Sequence, residues 1–123
     1  MAEAKALLDG VRVLVVEDEA IIAMTAEDML EELGCTVAAS ASGLGEALAA
    51  AARGGFDVAL LDINLNGSDS RPVAEKLRAD GVPFVFTTGY GAAGCGGFED
   101  TPLVTKPYQI ADLEAAIAKA LGR

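Results

Sequence analysis

Glu17, Asp18 and Glu19 stand in a row at the end of a short aliphatic run, and Asp62 closes another such run. Thr87 and Thr88 close a third, and Lys106 follows a fourth, just before Pro107. Carboxylates gathered in one place repel one another, so the group is costly unless a cation sits among them. Ligands that are all oxygen select a hard ion, and Mg2+ takes one or two carboxylates, waters and a phosphate oxygen. On that chemistry Glu17 and Asp18 hold the metal, with water an option between Glu17 and the ion. Asp62 shares the metal, and the backbone carbonyl of Asn64 supplies one more ligand. The Asp62 carboxylate is then placed to attack phosphorus and become an acyl phosphate. Mg2+ and Lys106 offset the charge on the phosphoryl oxygens, and a threonine hydroxyl donates to one of them. Strand alternation sends Thr87 and Thr88 to opposite faces, which by itself leaves open which of them donates.

Positioning these groups falls to an alternation of apolar runs and helical patterns. Residues 11–16 read as a buried strand, being short and rich in valine. A helix is expected over 20–33, with Ile22, Ala26, Met29, Leu30 and Leu33 on its inward face and Gly34 closing it. Residues 35–39 read as a second strand, 45–53 as an alanine-rich helix, and 56–61 as a third strand running into Asp62. A loop is expected over 64–70, then a helix over 71–80 with Pro72 in its first turn and Gly81 as its stop. Residues 83–87 and 103–105 read as the last two strands. The final helix spans 109–121, with Ile110, Leu113, Ile117 and Leu121 inward. Gly89, Gly91, Gly94, Gly96 and Gly97 make any fourth helix between these strands short or irregular.

Such alternation argues for an α/β fold, a parallel sheet covered by helices on both faces. Right-handed crossovers leave a five-stranded, flavodoxin-like order, 2-1-3-4-5, as the natural choice. In that sheet ligands bind beyond the carboxyl ends of the strands, which is where the acids, the threonines and the lysine all fall. One domain over 1–123 is expected, its core at about 11–122.

Composition narrows the function. The chain has 123 residues, 52% of them hydrophobic, which suits one packed core rather than disorder. No apolar run approaches the ~20 residues of a membrane span, and the first ten residues lack a basic stretch leading into an apolar one. A cytoplasmic location is therefore expected. Nine basic residues against nineteen acids give a net charge of −10, unsuited to a nucleic-acid partner. Histidine is absent, which removes imidazole metal sites, Ser-His-Asp and Cys-His catalysis, and any phosphohistidine within the chain. Cys35 and Cys95 are far apart and are expected to be free, inert thiols.

Glu17-Asp18 after residues 13–16, Asp62 within residues 60–64, Thr88-Gly89 after the fourth strand, and Lys106-Pro107 together resemble the response-regulator receiver domain, CheY-like in kind. The resemblance spans essentially the whole chain. It implies that Asp62 is the phosphoacceptor, Thr88 the switch hydroxyl and Lys106 the phosphate-sensing lysine, with Mg2+ as cofactor and a cis Lys106-Pro107 bond. Leu103 stands where most receivers carry an aromatic residue, so the usual coupling between threonine and aromatic is missing. Residues 83–90, Pro-Phe-Val-Phe-Thr-Thr-Gly-Tyr, are similar to the signature of the FAT GUY receivers, with Thr87 in place of the usual alanine. That subgroup also lacks the aromatic, and its members are mostly stand-alone receivers of alphaproteobacteria. They are linked to stress signalling through HWE- or HisKA2-type histidine kinases.

The resemblance thus implies a stand-alone response regulator, a monomer or weak dimer. It takes a phosphoryl group from a sensor histidine kinase or phosphotransfer protein and signals by protein contact or onward transfer. Beyond loading and losing its own phosphoryl group, no enzymatic turnover is expected. Ile21 and Met24 lie off the inward face of the first helix beside the acids, and suit docking of a kinase helix with Tyr108 and Gln109 across the rim. Tyr90 is a candidate to join a loop that orders on phosphorylation. A solvated acidic turn is the plain alternative for Glu17 to Glu19, and ordinary packing for Met24. Other functions are a phosphorylation-independent adaptor and an aspartate-nucleophile phosphohydrolase. The latter needs a second acid where Asn64 stands. A flavin binder is disfavoured, since acids stand where a flavin phosphate needs donors.

Overall fold

Runs of valine and leucine can be buried on both faces only inside a sheet covered by helices, and that is how they are used. In the computed structural model, which describes residues 7–89, 98 and 100–123, the central strands are β1 (Arg12–Val16), β3 (Val58–Asp62) and β6 (Phe84–Thr88). β2 (Thr36–Ala41) and β7 (Leu103–Thr105) complete a five-stranded parallel sheet in the order β2-β1-β3-β6-β7. With the small hairpin β4–β5 set aside, this is the expected flavodoxin-like order. The helices are α1 (Ala20–Glu32), α2 (Leu44–Arg53), α3 (Arg71–Ala79) and α4 (Ile110–Ala120).

The two-residue alternation of the strands divides the core. Val13, Val15, Val58, Leu60, Val85 and Val104 face one layer with Ala26, Leu30, Leu113 and Ile117 from α1 and α4. Leu14, Val16, Ala59, Leu61, Phe84 and Phe86 face the other with Ala47, Ala51, Val73 and Leu77 from α2 and α3. Both layers are apolar and buried, which clamps the sheet from either side.

Several expectations are corrected. The stretch 64–70 is not a plain loop, because β4 (Asn64–Leu65) and β5 (Ser68–Asp69) pair as a short antiparallel hairpin. Asn66 and Gly67 turn it with φ of 54° and 84°. Two successive left-handed residues give the tight turn whose twist matches a hairpin, and Asn-Gly is the dipeptide that best adopts it. The second strand runs to Ala41 rather than stopping at Ala39, because its register with β1 continues to Val16. The fourth begins at Phe84 and ends at Thr88, one residue later than expected, and the third includes Asp62 as its last residue. On α1 it is Ala23, not Ile22, that is buried; Ile22 is half-buried. On α4, Leu113, Ile117 and Ala118 are buried, while Ile110 and Leu121 are half-buried. The irregular fourth helix, Tyr90 and Cys95 lie outside the described residues.

Phe98 is a core residue that the sequence reading passed over. It is buried edge-on against Phe84 and Phe86, with ring centroids 5.9 and 5.7 Å away. The Arg78 guanidinium lies 4.2 Å over its ring, a cation–π arrangement. Leu103, beside Phe86 in the sheet, packs at the edge of the same cluster.

The residue before α3, Ser70, accepts N–H groups of Val73 and Ala74 on its carbonyl, yet its buried hydroxyl has no hydrogen-bond partner among the described residues. A buried polar group left unpaired costs about 1–3 kcal/mol. Ser70→Ala is therefore expected to leave stability unchanged or raise it by about 1 kcal/mol in urea unfolding. A loss of that size would show that the hydroxyl is bonded in solution.

Candidate functional site

Parallel strands deliver their carboxyl ends to one rim. Asp62 ends β3, Thr88 ends β6, and Glu17 and Asp18 follow β1 directly. Lys106 follows β7, where its N–H donates to the carbonyl of Thr88 at 2.8 Å. That bond ties the lysine backbone to the threonine strand. The peptide between Lys106 and Pro107 is cis, as expected.

The groups converge. Lys106 Nζ lies 2.7 Å from Asp62 Oδ2 and 2.9 Å from Glu17 Oε1. The side chains of Glu17 and Asp62 are only 4% and 6% exposed, so the ammonium is shared by two carboxylates out of water. Charge-assisted bonds of this length are about twice as strong as neutral ones. Glu17, Asp18 and Asp62 each bring a carboxylate oxygen within 4.8 Å of the others.

Backbone donors hold the same acids. Glu19 N–H donates to Glu17 Oε2 at 3.1 Å, Asn64 N–H to Asp62 Oδ1 at 3.1 Å, and Asn66 N–H to Asp18 Oδ2 at 3.1 Å. Each acid of the trio is thus oriented by one main-chain amide, which pure accident on an acidic surface would not produce. A cleft of about 730 Å³ opens over them, lined by Asp18, Asp62, Asn64, Thr88 and Lys106 among others.

Ionisation follows from burial and pairing. Burial pushes the Glu17 carboxyl up to about 7, against the pull of Lys106 and of the Glu19 amide. Burial draws Lys106 down, but its bonds to Asp62 and Glu17 outweigh that and leave it above the ordinary lysine range. Tyr108 is pushed up to about 12, chiefly by burial and then by Glu17. Cys35 is a buried free thiol, as expected, raised to about 11 by burial and Asp9.

The structure brings Glu17, Asp18, Asp62, Thr88 and Lys106 together. Asn64 lines the cleft from the hairpin. Thr87, though buried and paired with Asp62 in the sheet, is not among the residues lining it. Ile21 and Met24 are 80% and 62% exposed on α1. Between α1 and Tyr108 lies a mostly apolar hollow of about 470 Å³, lined by Glu19, Ile22, Thr25, Gly89, Lys106, Pro107 and Tyr108. Gln109 is exposed and occupies the position before α4, its N–H donating to Asp112 at 2.9 Å. What the sequence reading missed is the hairpin, whose amides hold Asp18 and Asp62; its Asn-Gly pair was the available signal.

A sheet of this order, with acids, a hydroxyl and a lysine gathered at the carboxyl ends of its strands, defines an α/β domain with one charged rim site. The family profile described as the response regulator receiver domain matches residues 13–118, and the chain belongs to that family. SdrG from Sphingomonas melonis Fr1, known from a solution structure, is 41% identical, with a TM-score of 0.83. The match covers 91% of this chain and 97% of SdrG. The receiver domain of the Erythrobacter litoralis PhyR response regulator is 33% identical with a TM-score of 0.81, covering 94% and 92%. The transcriptional regulatory protein TcrA of Mycobacterium tuberculosis is 38% identical over 94% of this chain and 47% of TcrA. The chain thus spans about half the length of the curated relatives it matches.

Because folding raises the Glu17 pKa from about 4.5 to about 7, the folded state holds a proton that the unfolded chain has released. Stability of the metal-free protein should then fall as pH rises through that window, by on the order of 3 kcal/mol, and be unaffected below it. The Glu17 carboxyl carbon should titrate near 7 by NMR, and Glu17→Gln should flatten the stability profile. Titration of that carbon near 4.5 would contradict the assignment.

Proposed function

We propose that the chain is a phosphoaccepting response regulator in which Asp62 takes a phosphoryl group from a phosphohistidine on another protein. The observation that carries this reading is the ammonium of Lys106 held between Asp62 and Glu17, 2.7 and 2.9 Å away, with Asp18 alongside. An oxygen lone pair of Asp62 forms the new O–P bond as the P–N bond of the donor breaks, and that electron pair stays on the donor imidazole. Lys106 then exchanges Asp62 Oδ2 for a phosphoryl oxygen, and the Thr88 hydroxyl donates to another. Return to the starting state is attack by water on the acyl phosphate, so the chain acts once per phosphoryl group and is not a turnover enzyme.

The donor set fits Mg2+: three carboxylates within 4.8 Å of one another and no nitrogen or sulfur ligand among them. Glu17, Asp18 and Asp62 would hold the ion, with the Asn64 carbonyl beside them. Bound there, Mg2+ supplies charge neutralisation for the entering phosphoryl oxygens. SdrG, a relative at 41% identity, has a BeF3-activated conformation, which supports a phosphoryl-responsive site in this chain too.

The donor is a histidine kinase, of HWE or HisKA2 type, or a phosphotransfer protein. Exposed Ile21 and Met24 on α1, and a mostly apolar hollow that Ile22, Tyr108 and Lys106 line, suit docking of a partner helix. No helix among the described residues is long and apolar enough to cross a membrane. A role in the cytoplasm alongside such a kinase agrees with this, and one solved relative is the PhyR stress response regulator. The net charge of −10 favours a protein partner over nucleic acid.

Incubation with Mg2+ and acetyl phosphate should add the mass of one phosphoryl group to the wild-type chain and none to Asp62→Asn. Wild type that gains no mass, and binds its partner as well as Asp62→Ala does, would favour a phosphorylation-independent adaptor. Steady hydrolysis of a small phosphate ester would favour a phosphohydrolase.

A further inference from the structure

From the hairpin geometry we infer that Asn66 is a positioning residue for the metal, acting through its main-chain N–H on Asp18. The inference rests on the Mg2+ reading of the acidic trio. Asp62 and Glu17 are buried and each has one oxygen on Lys106 and the other on a backbone amide. Asp18 differs from both: it is half-exposed and is not bonded to Lys106. Among the described residues its anchor is Asn66 N–H, 3.1 Å from Oδ2 and forty-eight residues away in sequence. A half-exposed carboxylate held at one oxygen keeps the other free to ligate, whereas an unheld one samples several rotamers.

The hairpin is built to present that N–H. Leu65 is 1% exposed and roots β4 in the layer beneath α2 and α3. Asn64 Oδ1 accepts the Gly67 N–H at 2.8 Å, bracing the turn from within. Asn66 Nδ2 reaches the Ser42 carbonyl at 3.5 Å, a long contact beside the shorter main-chain one. The left-handed φ of 54° at Asn66 aims its N–H at Asp18, and only glycine or a short polar side chain adopts that conformation readily. The same hairpin sends the Asn64 N–H to Asp62, so one rigid turn sets two of the three acids.

The test is a Mg2+ titration of the full chain, followed by calorimetry and by the Asn66 amide resonance, on wild type, Asn66→Val, Asn66→Gly and Asp18→Asn. Valine resists the left-handed conformation and should weaken Mg2+ binding about tenfold, the range seen when a partner of a metal ligand is lost. Glycine keeps the backbone and loses only the side chain, and should bind within about twofold of wild type. The Asn66 amide should shift on Mg2+ addition in wild type and Asn66→Gly. Wild-type affinity in Asn66→Val, with circular dichroism showing a folded chain, would overturn the inference. Equal losses in Asn66→Gly and Asn66→Val would overturn it too, by assigning the effect to the side chain. If wild type binds no more Mg2+ than Asp18→Asn, the Mg2+ reading fails as well, an outcome distinct from the other two.

Discussion

One ammonium shared by two buried carboxylates organises the functional end of this protein. Lys106 Nζ sits within 2.9 Å of both Glu17 and Asp62, one just after β1 and the other at the end of β3. Burying either acid alone would be costly, and burying both without a cation more so. The lysine makes the pair tolerable, and in the proposed function the same ammonium would move from a carboxylate to a phosphoryl oxygen. Burial still lifts the Glu17 carboxyl, to about 7, against the pull of Lys106 and the Glu19 amide.

The fold's contribution is to make that meeting unavoidable. A parallel sheet sends every carboxyl end to the same rim, and buried apolar layers on both faces hold the strands in register. The Lys106 amide on the Thr88 carbonyl then fixes the lysine backbone to the neighbouring strand. Main-chain amides orient the acids, two of them supplied by a six-residue hairpin that adds almost nothing to the core beyond Leu65. Rigidity therefore comes from apolar burial, and aim comes from a handful of hydrogen bonds.

How much of this was legible follows the range of the interactions involved. The alternation of valine-rich runs and helical faces is local, and it was enough for the sheet order and for placing Asp62, Asp18 and Lys106 together. The hairpin is signalled by Asn66-Gly67, but its two-residue strands carry no periodicity that would set them apart from a loop. Alternation sends Thr87 and Thr88 to opposite faces without saying which, and it is Thr88 that lines the cleft. Phe98 escaped notice because nothing near it in sequence is periodic; its partners Phe84, Phe86 and Arg78 lie on other elements. Ile22 was assigned inward from a helical wheel, whereas the smaller Ala23 fits the close approach of α1 to the sheet.

A structure of the chain with Mg2+ and beryllofluoride measures the central claim most directly. The account requires the beryllium on an Asp62 oxygen, Lys106 Nζ transferred to a fluorine, and the ion on Asp18 with Glu17 and the Asn64 carbonyl around it. Lys106 still bridging Glu17 and Asp62, with beryllofluoride absent from Asp62, would contradict it.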